Sequence, residues 1–315
     1  MALAGAGYFF FVYRPRHRPP PEAAVVVPET LDVVDTPAEV RMVIATLRSG
    51  DEIQVLDRAR EWSQVRMADG RTGWVESKDL LDAATHEHAE GLLKTLADLP
   101  VQAAGHTNGM VNLRLEPSRD ATQLAQLPQN QKAEIFGRRV VERPPAPDQP
   151  VASPAREAWY LVRADSRAGW VLGRFVELDI PPALSMYAQE TNLVAWVVLD
   201  TVEDGGQQVH QYVVADRAGA QELDFNHLRV FTWWVKHQRY ATAYVESGLN
   251  GYFPIRVVRR NGIPYFRLRL VDDAGRKFQK VYGLFDTITR PVGTVDGWES
   301  DAMPTQPPAR HKRRR

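Results

Sequence analysis

The chain has 315 residues, 44% hydrophobic and 25% charged, enough to bury two or three modest cores. Lys plus Arg equals Asp plus Glu at 39 each, so no overall field draws it to nucleic acid, and no specific nucleic-acid partner is expected. Cysteine is absent, which excludes disulfides, thiolate metal sites and cysteine nucleophiles.

Residues 1–13, MALAGAGYFFFVY, are apolar, and 14–27 form a Pro-rich spacer carrying three arginines. As a helix the apolar run reaches only about 18 Å against a hydrocarbon core of about 30 Å. Two readings stand: a truncated membrane anchor, which the Pro-rich spacer favours, or an apolar tail on a soluble protein. The flanking arginines favour cytoplasmic retention of the C-terminal side and so conflict with the first.

Residues 28–82 contain short β-segments separated by turn signals. EIQVLD and WSQVRM alternate in part, and Asp69-Gly70 is a hairpin signal leading into GWV. Residues 83–107 read as a helical linker, with Thr85 as the expected cap, a Leu92, Leu93 and Leu96 stripe, and Pro100 as the stop. His86, Glu87, His88 and Glu90 do not share one helix face, so a solvated helix start is expected there rather than a metal site.

Residues 108–180 repeat the first β-segment. Val33 falls on Leu113, Pro37 on Pro117, Ile44 on Leu124 and Val55 on Ile135 at an offset of 80. Beyond these, Trp62 meets Trp159 at an offset of 97 and Trp74 meets Trp170 at 96. The jump of 17 (97 less 80) is carried by a Pro-rich insertion over 140–157, which belongs in a surface loop. Five short strands in about 50 residues suggest a small barrel that hides its edges. Copy two reads VNLRLEPS, WYLV and AGWV; copy one reads LDVVDTPA, SGDEI, WSQV and TGWV. Both resemble bacterial SH3 domains. The resemblance covers under half of the chain and implies binding of a cell-wall peptide or a protein partner.

Strand parity places Trp62 opposite Val65 and Trp74 opposite Val75, and the same holds for Trp159 and Trp170. Trp62, Trp74, Trp159 and Trp170 are therefore the candidate ligand-binding residues, with Trp62 foremost. The competing reading is that a bulge or the long opening loop folds over each ring and makes it core.

Residues 183–297 carry about seven alternating segments, with Asp204-Gly205-Gly206, Asn261-Gly262 and Asp273-Ala274-Gly275 at turn positions. Phe266, Leu268 and Leu270 share one face and Arg267 and Arg269 the other, as in a half-buried antiparallel sheet. This region is expected to be a barrel, a sandwich or a curved sheet packed by a helix such as AGAQELDFNHLRV. Of Trp233 and Trp234, one ring should face the core and the other outward, near Tyr240 and Tyr244. Asp224, His227, His237 and Glu246 are the polar group to test for acid–base or metal work, although no motif brings a nucleophile to them. Residues 298–315 read as a disordered basic tail.

The fold class is thus mainly β: two small SH3-like barrels in tandem, then a larger antiparallel β-rich domain. The expected function is a non-catalytic binding protein without cofactor or metal, membrane-tethered or exported to the cell envelope. The alternative is a cell-envelope enzyme with its site in 183–297.

Overall fold

A computed structural model describes residues 20–143, 155–189, 191–219 and 222–304. The apolar segment 1–13, most of the insertion and the basic end of the tail lie outside them. The protein is mainly β, and among the described residues the strands form three antiparallel seven-stranded sheets. It divides into two compact units: one holds the first barrel together with Leu124–Gln126, and the other holds the rest of the second barrel and the third sheet.

The first barrel comprises β1 (Glu22–Val26), β2 (Thr30–Val34), β3 (Val43–Arg48), β4 (Glu52–Ala59), β5 (Trp62–Arg66), β6 (Thr72–Glu76) and β7 (Leu80–Asp82). Seven strands replace the expected five because both flanks join the sheet. β1 lies inside the stretch read as spacer, its buried Ala24 and Val26 completing a core with Val33, Ile53, Val55, Val65 and Val75. Between β5 and β6, Gly70 takes φ +84° and Asp69 Oδ1 accepts the Arg71 N–H, the hairpin turn that Asp-Gly announces.

Helix α1 (Ala83–Ala97) comes next. Its cap is Asp82 rather than Thr85: the Asp82 carboxylate accepts both the backbone N–H and the hydroxyl of Thr85, and these bonds hold its pKa below the usual aspartate value. Leu96 is fully buried with Phe136 and Ala168, and Leu92 and Leu93 pack beside them, so the expected stripe packs on the second barrel.

That barrel contains β8 (Ala103–Thr107), β9 (Val111–Arg114), β10 (Gln123–Leu127), β11 (Lys132–Arg143), β12 (Ala155–Ala164), β13 (Arg167–Leu172) and β14 (Val176–Leu178). β8 again begins inside a stretch read as linker. The spatial orders are β3-β2-β6-β5-β4-β1-β7 and β10-β9-β13-β12-β11-β8-β14. Adding seven to every label of the first gives the second, so the two copies share one chain path. A short 3₁₀ turn succeeds the Gly-Trp-Val strand in each, Ser77–Asp79 and Gly173–Phe175.

The repeated Gly-Trp-Val is a consequence of packing. A Cβ at Gly73 would lie 2.4 Å from Val33 Cγ1 and 2.9 Å from the Val34 carbonyl oxygen; at Gly169 it would lie 2.8 Å from Leu113 Cγ and 2.7 Å from the Arg114 carbonyl oxygen. Only glycine lets this strand lie against the opening strand. The adjoining tryptophan pairs across, Trp74 with Val34 and Trp170 with Arg114, and the valine enters the core.

After the short helix α2 (Ser185–Ala188), the third sheet runs as a meander through β15 (Leu193–Asp204), β16 (Gln207–Asp216), β17 (Phe225–Trp234), β18 (Arg239–Arg260), β19 (Ile263–Val271), β20 (Lys277–Phe285) and β21 (Ile288–Asp296). Its core gathers Val197, Val213, Phe225, Leu228, Ile255, Phe266, Leu268 and Tyr282, with the Phe266 and Tyr282 rings stacked 4.7 Å apart. The segment offered as a packing helix is strand from Phe225 onward, where Phe225, Leu228 and Val230 contribute to the core of the sheet. Trp234 faces outward as expected, whereas Trp233 is half-buried, its indole N–H bonded to Asp204 Oδ2 at 2.7 Å.

Candidate functional site

In the first barrel Ser63, Val65, Gly73 and Val75 are buried, while Trp62 and Trp74 are half-buried on the opposite face, as parity requires. They are diagonal neighbours, since Gln64 pairs with Trp74 and Trp62 with Glu76. The Arg41 guanidinium lies 4.9 Å from the centre of the Trp62 ring. In the second barrel Trp170 is likewise half-buried, with Arg139 5.2 Å from its ring centre.

Trp159 departs from this pattern: only 2% of it is exposed. Its strand position does not explain the burial, because Leu172 and Arg139, its cross-strand partners, share its face. The cover comes from the opening loop. Arg119 on that loop makes a two-pronged ion pair with Glu157, Nε to Oε2 at 2.9 Å and Nη2 to Oε1 at 2.5 Å, pinning the loop over β12 beside the ring. The same loop is braced from within, where Arg114 Nη1 donates to the Ala121 carbonyl at 2.6 Å.

What remains open is a cleft of about 210 Å³ lined by Met110, Asn112, Arg114, Arg119, Trp159, Leu172, Arg174 and Phe175, with Val111. Small-molecule sites usually measure about 300–1,000 Å³, so this one has room for one or two side chains of a larger ligand. Three guanidiniums border it. Glu157 neutralises Arg119, but among the described residues neither Arg114 nor Arg174 has a carboxylate in ion-pair contact. Arg174 lies 4.9 Å from the centre of the Phe175 ring, and burial lowers the pKa of Arg114. The exposed Met110 supplies a polarizable apolar rim. The cleft is therefore cationic and partly aromatic, suited to a carboxylate carried next to an apolar group.

The polar residues singled out in the third region do not converge. Asp224 is buried, with Oδ2 accepting the Phe253 N–H at 2.9 Å; His227 bonds to Asp216; the His237 ring packs tilted against Trp234; Glu246 accepts from Tyr244, Tyr282 and Lys280. Among the described residues no group of three His, Cys, Asp or Glu side chains is placed to hold a metal ion, and no helix is long and apolar enough to cross a membrane. Met110, Arg119 and Arg174 were missed by sequence reasoning. Only their nearness to the VNLRLEPS and AGWV motifs could have indicated them.

The family model for the bacterial SH3 domain matches residues 37–81 and 109–177. The chain carries two bacterial SH3 domains. Their matched stretches include all four tryptophans and, in the second SH3 domain, the whole lining of the cleft. No curated protein matches the chain. Solved structures similar to it include NlpC2 from Trichomonas vaginalis, 9% identical over 75% of this chain and 99% of that one, with a TM-score of 0.19. NlpC1 from the same organism is 9% identical over 90% and 95%, with a TM-score of 0.19. An NlpC/P60 family protein from Bacillus cereus ATCC 10987 is 12% identical over 86% and 98%, with a TM-score of 0.22.

Proposed function

We propose that the protein is a non-catalytic binding protein of the cell envelope whose second SH3 domain takes a carboxylate-bearing peptide, from a wall polymer or a protein partner, into the cleft beside Trp159. The observation that supports this most is the pair of guanidiniums, Arg114 and Arg174, beside an apolar floor and without a carboxylate in ion-pair contact. Trp62 and Trp74 of the first SH3 domain offer a second, shallower contact. Two weak sites on one chain raise avidity through effective concentration. Separation of Asp224, His227, His237 and Glu246 into four bonding arrangements weighs against the reading of an envelope enzyme with its site in 183–297.

Sedimentation with purified peptidoglycan tests this. The chain should pellet with the polymer, release no soluble fragments, and lose about tenfold in affinity on Arg174→Gln at an unchanged melting temperature. Released fragments would instead support the enzyme reading, and an unchanged affinity would move the contact away from the cleft.

A further inference from the structure

The outer face of the third sheet holds positive charge that the fold alone does not explain. Phe266, Leu268 and Leu270 turn into the core, so Arg267 and Arg269 emerge on the opposite side of β19. Register then sets Arg267 directly opposite Arg256 of β18, and Arg269 between Tyr252 of β18 and Gln279 of β20. Like charges placed directly opposite on neighbouring strands repel, so such a face calls for an electronegative cover.

The chain supplies one. Gly297, at φ +74°, turns the backbone after β21, and Trp298–Met303 runs back over this face as a strap. The Trp298 indole N–H donates to the Leu270 carbonyl at 3.0 Å, and its ring sits 5.2 Å from Tyr252, with Lys277 Nζ 4.7 Å from its centre. Arg269 Nη2 reaches Glu299 Oε1 at 3.2 Å. Arg267 donates to the Ser300 carbonyl at 2.9 Å and the Asp301 carbonyl at 2.7 Å, and Gln279 Nε2 donates to the Ser300 carbonyl at 2.7 Å. Beyond the strap Pro304 crosses Gly293, where a Cβ would lie 2.6 Å from the proline Cβ.

The strap is an incomplete ligand for this surface. Arg267, 3% exposed, donates to two neutral carbonyls and feels the Asp301 carboxylate only at a distance; among the described residues the one side-chain carboxylate bonded to the face is that of Glu299, whose side chain is 85% exposed. Arg256 makes no ion pair among the described residues, and the Nε atoms of Arg256 and Arg267 are buried without a hydrogen-bond partner. We propose that the outer face built by Tyr252, Arg256, Arg267, Arg269 and Gln279 is a binding site for an extended acidic segment with a tryptophan anchor on a partner protein, and that Trp298–Met303 is its resident occupant. The backbone contacts read extended main chain, Tyr252 and Lys277 read the ring, and the arginines read acidity. A partner richer in carboxylates than the strap would supply ion pairs to Arg256 and Arg267, which have none among the described residues. It must overcome an effective concentration on the order of millimolar, because the strap is tethered.

The test uses the full chain and a fluorescein-labelled peptide of sequence DGWESDAMP, residues 296–304, read by anisotropy. Gly293→Ala loosens the strap at one end without touching the arginines, and Trp298→Ala loosens it at the other while removing the ring that Arg269 faces at 5.8 Å. Each should bind the peptide at least about tenfold more tightly than the wild-type chain. Affinity should rise further with Ser300→Glu in the peptide, and fall when Arg256→Gln and Arg269→Gln are added to the Trp298→Ala chain. Hydrogen exchange of the Glu299–Met303 amides in the wild-type chain supplies a second readout: millimolar Ser300→Glu peptide should accelerate it. Amides that exchange no faster, or loosened chains that melt cooperatively yet bind no peptide, would make the strap a fixed part of the fold and overturn the proposal. A concentration-dependent dimer of the wild-type chain would assign the face to the strap of a second copy and would overturn the partner-protein reading.

Discussion

The side-chain amide of Gln102 binds both backbone groups of Ile255: Oε1 accepts the Ile255 N–H at 2.7 Å, and Nε2 donates to the Ile255 carbonyl at 3.1 Å. The Gln102 backbone also accepts from Trp196 of β15 and donates to Ile135 of β11, so one buried residue joins the second SH3 domain to the third sheet. Gln102→Ala strands two buried backbone groups, at a cost of about 3 kcal/mol. Denaturant unfolding should show the second SH3 domain and the third sheet melting together in the wild-type chain and in separate steps in the variant. An unmoved single transition would mean that this joint matters little.

Glycines at equivalent places should answer substitution alike. Gly73→Ala and Gly169→Ala each press a methyl against a backbone carbonyl of the opening strand, which cannot swing aside as a side chain can. Each should cost about 2–3 kcal/mol in its own SH3 domain. Gly91 is the control: it lies in α1 with nothing within 4 Å of its would-be Cβ. Gly91→Ala should stabilise by about 0.5–1 kcal/mol. Melting curves of the three variants give the check, and a Gly91→Ala effect equal to those of Gly73→Ala and Gly169→Ala would refute the packing argument.

Much of this architecture was legible because duplication and turn chemistry are local signals. Gly-Trp-Val, the constant offsets and the Asp-Gly and Asn-Gly turns each report a backbone demand met by neighbouring residues. Parity correctly set Trp62, Trp74 and Trp170 opposite the core, but whether an outward ring is covered depends on a distant side chain. Arg119 is 38 positions from Glu157, and no periodicity connects them. β1 and β8 were missed for a similar reason: each reaches its sheet only through pairing with later strands, and EAAVV carries too little alternation to announce a strand. The strap is equally silent in sequence, since its partners lie 21 or more positions away.

Glu246 is the focus of a polar network at the edge of the third core. Oε2 accepts from Tyr244 at 2.9 Å and Tyr282 at 2.6 Å, and Oε1 from Lys280 at 2.5 Å. Burial alone would raise its pKa, but the bonds from Lys280 and the two tyrosines prevail and hold it below the usual range. Burial and the same carboxylate push Tyr244 up to about 12. With the folded pKa depressed, the network's stabilisation is present above the unfolded pKa near 4 and lost as pH falls through the folded value. Glu246→Gln should therefore destabilise by about 1–3 kcal/mol at pH 7 and by less in acid. A variant whose deficit does not change with pH would show that shape, not charge, holds the site.

Asp224 carries the opposite sign. It lies 3.6 Å from Arg138, whose side chain is 2% exposed against 7% for the aspartate, and Arg138 also donates to the Leu223 carbonyl at 3.0 Å. Burial pushes the Asp224 carboxyl up to about 6, against the Phe253 N–H and the charges of Arg138 and Arg217, which pull it down. Burial lowers the pKa of Arg138 as well, with Arg217 adding repulsion. A raised aspartate pKa means that the folded state holds a proton between about pH 4 and 6 that the unfolded chain has released, so stability from this group falls as pH rises through that window. The full effect is about 3 kcal/mol. Asp224→Asn removes the titration and leaves Arg138 without its anion at every pH, so the informative quantity is the change in the wild-type-minus-variant difference with pH, not its value at one pH. That difference, from denaturant unfolding at pH 4.5 and 7.5, should decrease with rising pH by roughly 2 kcal/mol. A constant difference would mean that Arg138 keeps Asp224 ionised throughout, and that the ion pair outweighs burial at the joint between the second SH3 domain and the third sheet.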